Sequence, residues 1–226
     1  MSGRTIKINN LEFNIKVEKT NSKYTYIKFN GNNIIIKTKF NNVDNIIPII
    51  EKNLEKLELY SLPKEIFEEL PIFGIPYKLI IKNIKRKYLI FHKKRLIILN
   101  PNYKEDFINY LSKLLIKYCS KEIKKFLKLL DININPEIEI KIMKSKYAYV
   151  KDNKIYLSII NVFFPKYLID YILFHEVIHF KIKNHGYQFK KLLEMLYPNY
   201  KELEKELKKW TIAIFYNKNI NNLLNI

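Results

Sequence analysis

The sequence is poor in cysteine and glycine. Its single cysteine, Cys119, cannot form an internal disulfide, which excludes the disulfide framework of small secreted proteins. Cys119 lies among apolar residues at helical spacing, and we interpret it as a small core residue. Only four glycines occur in 226 residues, and none belongs to a Gly-rich phosphate-binding loop. The chain therefore lacks the usual sequence signal of a nucleotide-binding enzyme.

Long apolar runs are also missing. No uncharged stretch approaches the roughly 18 residues that a membrane-spanning helix needs. The N-terminal segment is charged early and has no apolar region of the kind found in signal peptides. Together these features predict a cytoplasmic protein without a membrane anchor.

Acidic residues are few relative to basic ones. The 22 Asp and Glu face 41 Lys and Arg, which gives a formal charge of +19. Such a balance favours non-specific contact with nucleic acid through a lysine-rich surface. The clusters Lys85–Lys87 and Lys93–Arg95 mark a basic edge, although charged edges also protect sheets from aggregation. Because Lys, Ile and Asn all have A/T-rich codons, genome composition is an alternative source of the charge.

The first hundred residues predict a β-rich N-terminal region, 1–100. Residues 4 to 40 alternate apolar and polar side chains, and Asn30-Gly31 is a strong hairpin signal. A helix is expected over 44 to 60, and three further strands over 77 to 99. Asn100-Pro101 is the best boundary between this region and a second domain, 101–226.

The second region predicts helices around a short run of strands. A long amphipathic helix is expected over 103 to 130, and strands over 137 to 158 with a turn at Asp152-Asn153. Helices are then expected from about 187 to 197 and from 200 to 215. The last residues are polar and are predicted to fray.

The motif that carries chemistry is His175-Glu176-Val177-Ile178-His179, an H-E-x-x-H pattern on a predicted helix. At a spacing of four residues both imidazoles lie on one face and can reach one zinc ion. Glu176 is then free to act as general base toward a metal-bound water. A catalytic zinc needs a third protein ligand, and His185 follows six residues later. We predict one zinc per chain, held by His175, His179 and His185.

The alternative interpretation is a core helix with two hydrogen-bonded histidines. The flanking residues are apolar nearly all round, as in a buried helix. Two histidines and a carboxylate are costly in such a place unless they are paired or bind a metal. The chain has only four histidines, and three of them fall within eleven residues. This clustering favours the metal site.

A family resemblance rests on the same stretch. The pattern Pro165-x3-Ile169-Asp170-Tyr171-x3-His175-Glu176-x2-His179-x5-His185-x3-Phe189 resembles the YgjP-like metallopeptidase family, which is related to the SprT-like and WLM zinc metalloproteases. The resemblance implies a zinc site at the three histidines, with Glu176 as the catalytic carboxylate. It covers residues 144 to 200 best. The family's S-R-W-G-S-C-like segment is altered here to Ser145-Lys146-Tyr147-Ala148-Tyr149-Val150, which bears on substrate choice.

The sequence thus predicts an α+β fold, with a β-rich N-terminal half packed on a zincin-like C-terminal half that carries the HExxH helix. The predicted function is that of a zinc-dependent metallohydrolase, in the first place a metallopeptidase acting on a peptide or protein substrate with a zinc-activated water. Two alternatives stay open. One is a metal-dependent nucleotide or phosphoanhydride hydrolase, and the other is a non-catalytic, metal-stabilised nucleic-acid-binding module.

Overall fold

The computed structural model describes residues 4–8, 11–30, 33–39, 44–55, 58–143 and 145–226. These residues form a mixed α+β fold of three sheets and seven α-helices. The strands are β1 Arg4–Ile8, β2 Leu11–Lys19, β3 Tyr26–Asn30, β4 Asn33–Thr38, β5 Leu70–Ile72, β6 Ile75–Ile81, β7 Tyr88–Phe91, β8 Leu96–Leu99, β9 Glu137–Lys141, β10 Ala148–Lys151 and β11 Lys154–Ser158. The helices are α1 Ile47–Glu55, α2 Glu65–Glu68, α3 Lys104–Leu129, α4 Lys166–Ile178, α5 Tyr187–Leu196, α6 Tyr200–Tyr216 and α7 Lys218–Leu224.

The chain divides into two compact units. The first contains residues 1–68 and 205–226, and the second contains residues 69–204. The predicted boundary at Asn100-Pro101 falls inside the second unit, between β8 and α3. A division into domains 1–100 and 101–226 stays a prediction. The expectation of a β-rich first half holds, since β1 to β8 all precede residue 101.

The first unit is built on a four-stranded sheet in the order β1-β2-β4-β3. Its core is formed by residues of the sheet and of α1, with one residue from the 3₁₀ turn after α1 and one from α6, namely Ile6, Phe13, Ile15, Ile34, Ile36, Ile47, Ile50, Leu54, Leu59 and Ile212. The alternating burial along β2 and β4 is what the period-2 pattern predicted. The antiparallel β3–β4 pair is confirmed, with Asn30 opposite Asn33, and the turn residue Gly31 lies outside the described residues.

The three sheets share one local topology that the sequence did not reveal. In each, two strands pair in parallel, and the later one is also the second strand of a hairpin: β4 lies between β2 and β3, β8 between β6 and β7, and β11 between β9 and β10. Pairing of this kind depends on contacts between distant strands. It therefore leaves no periodic signal in a single sequence.

The second unit is centred on the packing of α3 against α4. Helix α3 buries one apolar face, consisting of Phe107, Leu111, Leu115, Cys119, Ile123, Phe126 and Leu127. The predicted helix over 103 to 130 and the predicted burial of Cys119 are both confirmed. Helix α4 is buried on nearly every side, and Phe126 meets Phe174 edge to face with 5.3 Å between ring centroids. This helix carries the H-E-x-x-H motif.

The start of α4 is held by a tight turn between β5 and β6. Phe73 and Gly74 connect Ile72 to Ile75, and both have positive φ angles, of 50° and 75°, as a two-residue type I′ turn requires. The Phe73 amide donates to the Val162 carbonyl at 2.7 Å. A Cβ at position 74 would lie 2.9 Å from the Pro165 Cα, immediately before α4. Glycine is needed here for the backbone angle and for the close approach.

We expect Gly74→Ala to lower the free energy of unfolding by about 2–4 kcal/mol, because left-handed backbone strain and a clash with backbone atoms add together. Chemical denaturation monitored by circular dichroism measures this change. Gly186→Ala is the control, since a Cβ there meets only the Asn184 side-chain oxygen at 3.4 Å and the φ is negative. Equal stability of the two variants would refute the assigned role of Gly74.

The prediction that the C-terminal residues fray is wrong. They form α7, with Ile220, Leu223 and Leu224 buried. Asn217 caps this helix, since its side-chain oxygen accepts hydrogen bonds from the amides of Asn219 and Ile220. The Asn217 amide group also donates to the Ile66 carbonyl at 2.8 Å. The polar composition concealed a capped helix whose apolar side is covered within the first unit.

Among the helices that the structure describes, none combines the length and the apolar character needed to cross a membrane.

Candidate metal centre

Helix α4 presents the H-E-x-x-H motif at its C-terminal end. Pro165 precedes the first helical residue, where its fixed φ is tolerated. His175 and Glu176 lie on the last turn, and His179 is the residue that closes the helix, with α-helical φ and ψ. Both histidines therefore keep the helical spacing that places them on one face. The position of the His179 ring therefore depends on how α4 ends and on the turn that follows it.

The structure brings the three predicted histidines together. His175, His179 and His185 each offer one ring nitrogen, and these three atoms lie within 4.8 Å of one another. The Nε2 atoms of His175 and His185 are 2.9 Å apart. The ring centroids of His179 lie 5.1 Å from those of His175 and 4.7 Å from those of His185. Within the described part of the chain, this is the one group of three potential ligands that converges in this way.

The orientation of His179 is set by the turn after α4. Its Nδ1 lies 3.0 Å from the Ile182 carbonyl oxygen, which can only accept a hydrogen bond. Nδ1 therefore carries the proton in the neutral ring, and Nε2 is left with a free lone pair. A backbone carbonyl behind a ligand histidine is a common way to fix the tautomer and the ring angle. Ile182 was not singled out in the sequence, because no side-chain pattern reports a carbonyl contact.

The return of His185 to the helix does not use a left-handed residue. Neither Asn184 nor Gly186, the two neighbours of His185, has a positive φ. The chain turns instead immediately after α4, where the amides of Lys181 and Ile182 both donate to the Ile178 carbonyl at 2.9 Å. Gly186 then precedes α5 in an extended conformation.

Helix α5 supplies a buried ring behind the cluster. Phe189 is 1% exposed, and its centroid lies 4.8 Å from His175, 4.9 Å from His179 and 4.6 Å from His185. A ring in contact with all three imidazoles restricts their rotation and removes water from one side of the cluster. The sequence pattern did not predict this contact of Phe189 with every histidine.

Burial keeps His175 and His179 in the protonation state that metal binding needs. It lowers the pKa of His175 to about 4, with further lowering from His179 and His185. Burial also lowers the pKa of His179, partly offset by the hydrogen bond to Ile182. These rings are neutral at pH 7 and can donate lone pairs. Glu176 is 8% exposed, and burial raises its pKa to about 7, while the positive charge of Lys146 acts in the opposite direction.

The donor set fits a divalent metal of the zinc type. Three imidazoles with converging nitrogens are the ligands of several catalytic zinc sites, which keep a fourth position open. The Nε2 atoms of His175 and His185, 2.9 Å apart, are close enough for both to bind one ion at the usual Zn–N distance of about 2.0–2.1 Å. Glu176 lies beside the ligands in sequence without being one of the converging group.

Two residues of the α4 region act behind the site. Asp170, one turn before His175, accepts a hydrogen bond from the Tyr118 hydroxyl at 2.6 Å. Burial raises the pKa of Asp170, and the same contact joins α4 to α3. Tyr171 meets His175 edge to face with 6.4 Å between centroids and lies at the start of the same turn. These contacts hold the motif helix in register with its neighbour.

Strand β10 is the edge strand that lies against α4. The sheet order is β10-β11-β9, with β10 packed on α4 and β9 packed on α3. The predicted turn at Asp152-Asn153 is confirmed, with φ angles of 49° and 59°. Tyr149 stacks on Tyr156 at 4.6 Å, so its ring packs within the sheet rather than offering a free face. One edge of this sheet therefore borders the motif helix.

Comparison with known proteins gives a family match and several similar solved structures. The family model described as YgjP-like, metallopeptidase domain, matches residues 37–210, a range that contains the three histidines and Glu176. A comparison with curated proteins found no match. Five chains of solved structures match. One is described as the crystal structure of the metallopeptidase zymogen of Methanocaldococcus jannaschii jannalysin, with 37% identity, coverage of 40% of this chain and 85% of that chain, and a TM-score of 0.36.

Proposed function

We propose that this chain, which belongs to the YgjP-like metallopeptidase family, is a zinc-dependent peptidase whose active site is the histidine cluster at the end of α4. Family membership supports a metallopeptidase and implies a divalent metal and peptide substrates. The observation that carries the finer proposal is the convergence of three imidazole nitrogens within 4.8 Å beside a buried carboxylate. A purely structural role for the histidine cluster would not require a buried carboxylate next to it.

His175, His179 and His185 would hold the metal. His179 would bind through Nε2, because its Nδ1 donates to the Ile182 carbonyl. When bound, zinc supplies Lewis acidity, polarising a substrate carbonyl and lowering the pKa of a water molecule to about 7. Phe189 holds the three rings in position and excludes water behind them.

Glu176 would act as the general base and then as the general acid. A carboxyl group whose pKa lies near 7 accepts a proton from the attacking water and returns it to the leaving amine at similar cost. Burial raises that pKa, and the cation of Lys146 favours the ionised form that the first step needs. Burial and the charge of Lys146 thus act in opposite directions on the pKa of Glu176, which stays close to the working pH.

The extended substrate would bind along β10. An edge strand offers unpaired backbone groups, and a peptide that adds to it brings its own carbonyl groups to a fixed distance from the sheet. Because β10 is the edge strand that packs on α4, a peptide bound there lies beside the histidine cluster. This arrangement favours cleavage of unfolded or flexible segments, since a folded helix cannot add to a sheet.

The proposal is tested by hydrolysis of casein and of a peptide library, with protein of known metal content. We expect cleavage that disappears with a chelator and returns with added zinc. A panel of nucleoside triphosphates in parallel tests the alternative of phosphoanhydride hydrolysis. The sequence contains no Gly-rich phosphate-binding loop that would favour this alternative. Hydrolysis of neither class by metal-loaded protein would favour a metal-stabilised binding module.

A second candidate function, nucleic-acid binding, is favoured by one stretch of the second unit. Residues 70–104 contain nine Lys and Arg and no Asp or Glu. In the described chain, Lys87 pairs with Asp106, and no ion pair is found for Lys85, Arg86, Lys93 or Lys94. An acid-free stretch of this length presents an uncompensated positive surface, which is the electrostatic footprint of a polyanion partner.

The fold arranges these charges around the edge strand β7. Lys85 and Arg86 precede this strand, while Lys93 and Lys94 follow it, and all four are exposed. Between them Phe91 is 40% exposed. Basic groups at both ends of a strand that carries an exposed aromatic ring suit a single-stranded nucleic acid, with phosphates on the cations and a base on the ring.

We expect the parent protein to bind single-stranded DNA or RNA with strong salt dependence. A variant with Lys85, Arg86, Lys93 and Lys94 changed to Gln should bind at least about tenfold more weakly near 50 mM salt, with the slope of log affinity against log salt reduced by about 3. Fluorescence anisotropy across a salt series measures both. The control changes Lys113, Lys117, Lys121 and Lys124 on α3, which removes the same charge elsewhere. Equal losses of affinity in both variants would show that binding depends on net charge and not on the residues around β7.

A further inference from the structure

The lysines around the β10-β11-β9 sheet differ in whether they have an acidic partner. Three are paired: Lys141 with Glu139 at 3.3 Å, Lys154 with Glu137 at 2.6 Å, and Lys151 with Asp152 at 3.8 Å. For Lys146, no ion pair is found with any residue in the described ranges of the chain. Its charge is therefore available to a partner that the protein itself does not supply.

Lys146 is nevertheless held in place. Its Nζ lies 5.3 Å from the ring centroid of Tyr149, within the range of a cation–π contact. Tyr149 in turn stacks on Tyr156 of the neighbouring strand. Lys141 lies 4.0 Å from the Tyr156 ring centroid, so the four side chains form a row across the sheet. An exposed lysine that rests on a packed ring loses less freedom on binding a ligand than one that extends freely into water.

The backbone beside Lys146 is also fixed. The carbonyl of Tyr147 accepts hydrogen bonds from the Ser158 amide and from the Asn161 side-chain amide, each at 2.8 Å. The Tyr147 ring packs edge to face on Phe164 with 5.7 Å between centroids. Lys146 therefore projects from an anchored segment at the start of the edge strand rather than from a loop that is free to move.

This segment borders the candidate metal centre. Strand β10 begins two residues after Lys146 and packs on α4, which carries Glu176. Lys146 therefore lies on the segment that leads into the strand next to the motif helix. A peptide added along β10 would pass Lys146 close to the position of the scissile bond, given the proposed function.

We propose that Lys146 is a specificity-determining residue that selects substrates with an acidic side chain next to the scissile bond. The inference rests on the proposed peptidase function and on substrate binding along β10. Residues opposite one another on adjacent strands interact most strongly when their charges are opposite, and an unpaired cation at the start of an edge strand selects for an anion there. Lysine suits this task as a single point charge that reaches one carboxylate without a fixed geometry.

The test compares peptide pairs in binding and in cleavage. A set of extended peptides carries a single Glu, or Gln as its uncharged match, at each successive position. Binding is measured by fluorescence anisotropy with the zinc-loaded Glu176→Gln protein, and cleavage is measured as kcat/KM with the parent. We expect one position at which Glu is preferred over Gln by about threefold to tenfold, consistent with a partly exposed charge pair. That preference should vanish in Lys146→Met and reverse in favour of the Gln peptide in Lys146→Glu.

Lys151→Met is the matched control, because it removes the same charge from the other end of β10. It should retain the preference for Glu. A loss of binding or of kcat/KM that is equal for the Glu and Gln peptides in Lys146→Met would overturn selection by charge, and so would the absence of any preference in the parent. Preferential binding of Glu peptides without cleavage would count against the peptidase while supporting the role of Lys146. Cleavage without a preference for Glu would support the peptidase and count against the role of Lys146.

Discussion

Replacement of Glu176 by Gln is expected to lower hydrolysis by at least about a hundredfold while the protein keeps its fold and its metal. The amide preserves the size of the side chain and its ability to hydrogen bond, but it cannot take a proton from the attacking water. A positioned general base contributes typically about 10²–10⁴-fold to a reaction of this kind. The loss should fall on kcat more than on KM, because proton transfer occurs in the transition state and not in substrate binding.

Metal content by elemental analysis and cleavage of a quenched peptide are the two measurements. Glu176 is 8% exposed, and a charge is costly in such a buried position. Because Gln removes that charge, the variant should be at least as stable as the parent. Asp170→Asn serves as a comparison on the same helix, one that disturbs the contact with Tyr118 but not the proton transfer. Parental rates in Glu176→Gln would refute the proposed mechanism.

Replacement of His185 by Ala is expected to weaken zinc binding by at least about a hundredfold. Loss of an outer-shell partner alone typically costs about 10–100-fold, and loss of a ligand costs more. His185 is the proposed ligand that α4 does not supply, so its removal leaves the helix and its packing intact. The stabilisation that zinc gives the parent, about 2.7 kcal/mol at a hundredfold excess over Kd, should largely disappear.

Competition with a chromophoric chelator gives the affinity, and thermal unfolding with and without zinc gives the stabilisation. His92→Ala is the matched control. His92 is the remaining histidine of the chain, and its Nδ1 lies 3.1 Å from the Tyr77 hydroxyl, away from the converging group. The control should bind zinc as the parent does. Full metal affinity in His185→Ala would remove this residue from the ligand set.

Most secondary structure followed from short-range pattern. The burial of α3 along one face, the alternation in β2 and β4, and the turn at Asp152-Asn153 all arise from residues within one or two turns of each other. Where contacts with a distant segment decide the secondary structure, the local sequence pattern was insufficient to predict it. Helix α7 forms because Ile220, Leu223 and Leu224 find a covered surface and because Asn217 caps the helix while bonding to Ile66.

The sequence by itself determined the chemical identity of the site. His175, Glu176 and His179 are related by helical geometry alone, so the spacing was enough to predict two ligands and a base around one point. His185 was within reach by its proximity in the chain. The scarcity of histidine and the cost of burying these groups favoured a metal over a packed core.

Only the tertiary structure decided how the site is held and what surrounds it. The Ile182 carbonyl fixes the His179 ring, and Phe189 from α5 contacts all three imidazoles. Lys146 and Glu176 are thirty positions apart in the chain, and the charge of Lys146 acts on Glu176 because β10 packs on α4. Contacts of this kind arise from the packing of elements that are distant in sequence, and no local pattern encodes which distant elements will meet.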